Sequence, residues 1–209
     1  MLFQNGKKIL SLLMVFVLSF ALCSCGGNAA DGNAPADTTD ENEVISSENN
    51  EITEDMLSDL FKENVYCMVN VFSISHLPYD EETMQDGHIC KVSDERFASY
   101  ADFESYICSV YCAAEADMLL NHYPYEDSPM YLDVDGELYI DLNLAGAKGY
   151  YVDWTNCEIT IDSADAERCE FTVKGSIEEP AEVPVQEDYF ANGTAVFENG
   201  KWVLEKMIY

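Results

Sequence analysis

The sequence predicts an α+β fold, a single domain with N-terminal helices packed on a C-terminal antiparallel β-meander sheet. Two observations lead there. Apolar residues recur at three- and four-residue spacing as far as about Asn121, then alternate from Met130 onward. The later half is also punctuated by Asp135-Gly136 and Asn199-Gly200. Such dipeptides favour two-residue hairpin turns, whose central residues both need positive φ. Helices followed by an antiparallel meander is the α+β order, with the helices covering one sheet face.

Ahead of the fold lies a segment with the pattern of a secretory signal. Lys7 and Lys8 are followed by Ile9 to Leu22, apolar apart from Ser11 and Ser19. That run is too short for a permanent span, which needs about 20 residues for a core of roughly 30 Å. Leu22-Cys23-Ser24-Cys25 resembles the lipobox of bacterial lipoprotein signals, with small Ser24 before the cut and Cys25 as the lipidated residue. Residues 1–24 are thus expected to be removed. A diacyl anchor on Cys25 supplies the two chains that stable attachment requires, on the outer face of the cell membrane. Residues 25–50 read as an acidic, disordered spacer: from Gly26 to Asn50 there are six carboxylates and no Lys or Arg, and the only sizeable apolar residues are Val44 and Ile45.

Residues 51–209 suit one domain of ordinary size. The chain holds 40 acidic and 10 basic residues, and 34 and 8 of these fall in the domain, a net charge of −26 there. Nucleic acid is excluded as a partner, because phosphate binding needs a basic face. The same charge repels anionic lipid and wall polyanions, so membrane contact is expected through the lipid anchor alone. An acidic surface most often serves solubility alone; the sharper reading is a basic partner, such as the positive face of another exported protein.

Element by element, Thr53 caps a first helix running to about Ser73, with Leu57, Leu60, Phe61, Val65, Met68, Val69 and Phe72 on one stripe. His76 to Gly87 reads as a loop, and Ile89 to Val92 as a small edge strand or extended chain. Ser99 with Asp102 resembles a capping box for a second helix. A third helical stretch, Ala113 to Asn121, follows, and the spacing leaves open whether Cys112 breaks the two. His122-Tyr123-Pro124 ends the helical part. Met130–Val134 and Leu138–Leu142 form the first hairpin. Further strands are expected at Tyr150–Val152, Cys157–Ile161, Cys169–Lys174, Glu182–Gln186 and Thr194–Phe197. A second hairpin through Asn199-Gly200 leads into Lys201–Ile208.

Few residues point to chemistry. Asp133-Val134-Asp135-Gly136 lacks the glycine and glutamate positions of a calcium loop, and the hairpin accounts for it. Cys67, Cys90, Cys108, Cys112, Cys157 and Cys169 contain no C-x-x-C pair, so zinc and thioredoxin-type chemistry lack their usual spacing. They read as mostly reduced core residues with at most one bridge. His76, His88 and His122 have no recognisable catalytic neighbourhood, and no phosphate-binding or serine-nucleophile motif occurs. No catalytic residue, metal or cofactor is therefore expected. Asn192-Gly193-Thr194 reads as a turn. The stretch led by Gly146 and Gly149 gathers Tyr150, Tyr151, Asp153 and Trp154, a candidate partner-binding loop, with core packing the leading alternative for the individual rings.

Taken together, Phe97-Ala98-Ser99-Tyr100-Ala101-Asp102-Phe103, Asp135-Gly136-Glu137-Leu138-Tyr139, Gly149-Tyr150-Tyr151 and Glu198-Asn199-Gly200-Lys201-Trp202 resemble the IseA family of exported DL-endopeptidase inhibitors, over about Ile52 to Tyr209. The resemblance implies a helical part joined to a β tail and an acidic groove used against NlpC-type peptidoglycan hydrolases. The leading expectation is thus a non-enzymatic lipoprotein that restrains an exported cell-wall hydrolase. Two other classes compete with it. A small-ligand module of the nuclear-transport-factor type would need an apolar pocket with a few convergent polar groups. A hydrolase would need convergent carboxylates or a Cys–His pair in a cleft.

Overall fold

The computed structural model describes residues 50–126, 128–146, 152–179 and 185–209. The expected signal, Cys25 and all of the spacer before Asn50 lie outside these residues. Thr53 starts the first helix as its side chain predicts: its hydroxyl accepts the Met56 N–H at 3.2 Å, and helix α1 spans Glu54–Tyr66. Glu54 and Asp55 occupy the first turn, where the helix dipole favours anions. Leu57, Phe61 and polar Asn64 are buried. From Cys67 to Phe72 the helix widens into a π-helical segment, with the Ser73 N–H reaching back to the Met68 carbonyl at 3.0 Å. The buried Tyr131 hydroxyl closes this end, donating to the Val71 carbonyl at 2.8 Å and accepting the Leu77 N–H at 3.1 Å.

Ser99 caps helix α2, Tyr100–Val110; its hydroxyl accepts the Asp102 N–H at 3.1 Å and donates to the Asp102 carboxylate at 2.8 Å. Helix α3 spans Ala113–Asn121. The break between them lies at Tyr111 and Cys112, whose backbone is extended. Its cause is tertiary: Tyr111 bridges Leu204 in parallel, and the Cys112 N–H donates to the Leu204 carbonyl at 2.8 Å. The Cys112 N–H is thereby diverted from the Cys108 carbonyl that the helix would offer it, and that carbonyl accepts Lys201 Nζ at 2.8 Å instead.

The strands are β1 Tyr79–Gln85, β2 Ile89–Val92, β3 Pro124–Tyr125, β4 Ser128–Pro129, β5 Tyr131–Val134, β6 Glu137–Asp141, β7 Asp153–Ala164, β8 Arg168–Glu179, β9 Val185–Glu198 and β10 Lys201–Leu204. The α+β class with antiparallel sheets holds, with the helices in the N-terminal half. The expected single sheet does not. Strands pair as two four-stranded sheets, β1-β2-β6-β5 and β10-β9-β8-β7, beside the small pair β3–β4. The second sheet is the expected meander; the first joins two hairpins through β2 and β6.

Three local expectations are corrected. His76–Gly87 is not all loop, because Tyr79–Gln85 forms β1 and folds back through Asp86 and Gly87, both at positive φ. The expected strands Glu182–Gln186 and Thr194–Phe197 belong to one long strand, β9, as far as they are described. Asn192-Gly193-Thr194 is no turn: Gly193 lies inside β9, paired with Phe171.

Both predicted hairpin turns are present. Asp135 and Gly136 have φ of 55° and 87°, Asn199 and Gly200 have 53° and 82°, and each pair joins directly paired strand ends. The Asp133 carboxylate accepts the Gly136 N–H at 2.7 Å, a contact that fixes the turn. Gly136→Val and Gly200→Val should each lower unfolding free energy by about 1–3 kcal/mol, since a β-branched residue is strained at positive φ. Gly146→Ala is the control, with no atom within 4 Å of an added methyl. Equal urea midpoints for all three variants and the parent would refute the strain argument.

One contiguous apolar core draws on both sheets and all three helices, with Phe72, Phe103 and Tyr131 on one side and Phe61, Trp154 and Phe171 on another. Ring centroids in these groups lie 4.8 Å apart for Phe103–Tyr131 and 5.1 Å for Phe61–Trp154. At its centre Asn64 is fully buried. Its side-chain oxygen accepts the Ile208 N–H at 3.0 Å and the Tyr111 hydroxyl at 3.1 Å, while its amide donates to the Ile208 carbonyl at 2.9 Å.

Candidate functional site

The second sheet has two unlike faces, and the register assigns each residue to one. Ile159–Val173–Ala191 and Ile161–Phe171–Gly193 form inward rows on the core. Outward rows run Thr160–Thr172–Asn192, Glu158–Lys174–Phe190 and Asp153–Ser176–Asp188. All these outward residues are exposed or half-buried. Half-buried core and solvated outside is the expected alternation of an antiparallel sheet.

An irregularity in β7 turns part of this outer face into a cleft. Between the pairs Asp153↔Ser176 and Glu158↔Lys174, β7 advances five residues while β8 advances two, so three extra residues bulge from the ladder. The cleft of about 300 Å³ that results is lined by Asp153, Asn156, Glu158, Lys174, Gly175, Ser176 and Asp188. Lys174 Nζ lies 3.0 Å from the Asp188 carboxylate, and this hydrogen bond raises the lysine pKa. The Thr155 hydroxyl and N–H hold the Asp153 carboxyl below its usual range. The effect of Asp153 on stability is therefore present above the ordinary carboxylate pKa and lost as pH falls through the lowered folded value.

Of the four residues nominated as a partner-binding loop, Tyr150 and Tyr151 lie outside the described residues. Asp153 is half-buried at the cleft. Trp154 is in the core and only 6% exposed, so its ring is no surface anchor. It packs edge-on against Phe61 and Tyr189, and fills the space that a side chain at Gly175 would take. Strand alternation is the reason: Asp153 faces out, so its neighbour faces in. The indole Nε1–H is buried with no hydrogen-bond partner among the described residues.

Other chemistry finds little support. All six domain cysteines are free. Burial pushes the Cys67 thiol up to about 11 and also raises Cys90, Cys108, Cys157 and Cys169, away from the reactive thiolate. His76 and His88 turn Nδ1 to the Leu77 and Asp86 carbonyls, and His122 lies 3.9 Å from Asp117. No described cysteine is hydrogen-bonded to a histidine, and no described group of three His, Cys, Asp or Glu side chains is placed to hold a metal. A second cleft, about 400 Å³, lies between Asn50–Ile52 and Ile161, Ala164, Asp165 and Ala166, where the chain enters the domain. Neither cleft is the enclosed apolar pocket that a small-ligand module needs.

Asn156, Glu158, Lys174, Ser176, Asp188 and Phe190 were not singled out from the sequence. The alternation of β8 was the available signal, but the expected strand stopped at Lys174, and residues 187–193 were not read as strand. Among the described residues no helix is long and apolar enough to cross a membrane. No protein-family model matches the sequence, and a comparison with curated proteins finds no match.

Proposed function

We propose that this chain is a membrane-anchored extracytoplasmic lipoprotein that binds and inhibits an NlpC-type peptidoglycan DL-endopeptidase, with no catalysis of its own. The observation that supports it is how the domain spends its few cations. Lys62, Lys91, Arg96, Arg168 and Lys174 each pair with a carboxylate of the same chain, and Lys201 caps the Cys108 carbonyl at 2.8 Å. Six of the seven described Lys and Arg are thus engaged internally, and the excess acid of a −26 domain is left to face solvent. A basic enzyme face is the complement of such a surface. The resemblance to the IseA family and the lipobox at Cys25 point the same way.

Glu51–Tyr209 should inhibit such an endopeptidase stoichiometrically and release no wall fragments. Raising salt should slow association more than it speeds dissociation, because steering acts on the encounter and is screened beyond about 8 Å at physiological ionic strength. Failure to inhibit any exported hydrolase of the same cell at micromolar concentration would reject the reading, as would peptide release by the domain alone. The anchor is tested separately by fatty-acid labelling. Cys25→Ala should abolish label and processing while Cys23→Ala keeps both, and label retained in Cys25→Ala would sink the assignment.

A further inference from the structure

We infer that the outer face of β7, β8 and β9 is a binding platform for a neutral oligosaccharide, seated on Phe190 and reaching into the Asp153–Asp188 cleft. Phe190 is the anchor. Its ring is 59% exposed at the β9 end of the otherwise polar row Glu158–Lys174–Phe190, although strand alternation would place a polar side chain there. Its cross-strand partner is Lys174, Asp188 and Asn192 flank it on β9, and Thr172 lies diagonally beside it.

The chemistry of these neighbours selects the ligand. The cleft offers acceptors on Asp153, Glu158 and Asp188 and donors on Lys174 and Asn156. An anion would meet three carboxylates. A cation would compete with Lys174, already 3.0 Å from Asp188. A hydroxyl both donates and accepts, so a polyhydroxyl ligand uses both sets without burying a net charge. Sugar rings also carry an apolar C–H face, and an exposed aromatic ring beside hydrogen-bonding groups is the surface that such a face stacks on. Along β9, Asp188, Phe190 and Asn192 point the same way over about 14 Å, at roughly 3.4 Å per residue, which suits a short chain of rings rather than one. The platform does not depend on the inhibitor reading, since it uses neutral hydroxyl chemistry rather than net charge.

The test uses the full chain in detergent micelles, titrated calorimetrically with chitotetraose and with cellotetraose. At least one tetramer should bind saturably, with an affinity nearly constant across ionic strengths on both sides of physiological. Phe190→Ala should weaken binding about tenfold or more, as expected for an anchor side chain. Its unfolding midpoint should stay at the parental value, because the ring is outside the core. Asn192→Ala and Asp188→Ala should weaken binding less. No saturable binding of either sugar would overturn the inference, as would an unchanged affinity in Phe190→Ala. Binding that collapses with added salt would overturn it as well, and would mark the face as a charge-driven protein contact. Inhibition of an endopeptidase by Phe190→Ala is read in parallel, so failure of one reading is not mistaken for failure of the other.

Discussion

Replacing Asn64 with alanine should lower the stability of the domain by on the order of 3–5 kcal/mol, more than any surface substitution. Asn64 has no solvent exposure, and one side chain serves the Ile208 N–H, the Ile208 carbonyl and the Tyr111 hydroxyl. Truncation leaves the Ile208 N–H and carbonyl without this partner and the Tyr111 hydroxyl with only the weak Cys67 thiol, each loss costing roughly 1–3 kcal/mol, less whatever water can reach them. Asn64→Leu keeps the volume and should be nearly as damaging, which separates lost hydrogen bonds from a cavity. Asn64→Asp restores the acceptor but not the donor, and places a carboxylate where there is no cation. The check is the denaturant midpoint at an unchanged m-value. A loss below about 1 kcal/mol for Asn64→Ala would show that the C-terminal segment is not held by this residue.

Gly193→Ala is the second large effect, and it arises from the opposite fault. The backbone there is ordinary strand, so the penalty is packing and not conformation. An added methyl would stand 2.7 Å from both Ile208 Cδ1 and Phe171 Cε2, closer than real contacts allow. Phe171 is 1% exposed and cannot swing aside. Overpacking of this kind costs typically 1–3 kcal/mol. A surface turn, which the sequence suggested for Asn192-Gly193-Thr194, would instead accept alanine at little cost. A midpoint equal to that of the Gly146→Ala control would therefore restore the turn. Gly175→Ala should behave similarly, because its methyl would meet Trp154 at 2.6 Å. Asn64→Ala and Gly193→Ala both act on Ile208, so their combined cost should depart from the sum.

What was legible in the sequence was local. Thr53 and Ser99 announce helix starts because a capping hydroxyl satisfies amides two or three residues away. Asp135-Gly136 and Asn199-Gly200 announce hairpins because positive φ is a property of those residues themselves. Asp86-Gly87 carried the same signal and was passed over, since Tyr79–Gln85 is mostly exposed and lacks apolar alternation. That strand exists by pairing with β2, which no window along its own seven residues reveals.

Contacts between distant residues decided the rest. The division into two sheets depends on β2 choosing β6, about fifty residues on. The break after α2 is set by Leu204, and the polar centre of the core by Asn64 meeting Ile208. The outer-face cleft joins residues of three strands, brought into rows by register and opened by a bulge. Trp154 teaches the same point on a smaller scale, for its type suggested a binding surface while its place beside outward-facing Asp153 sent it inward. Caps, turns and periodicity are short-range preferences that a sequence states by itself. Pairing partners, sheet number and the composition of a face are long-range choices, settled only when burial of the whole core offsets the entropy of closing each loop.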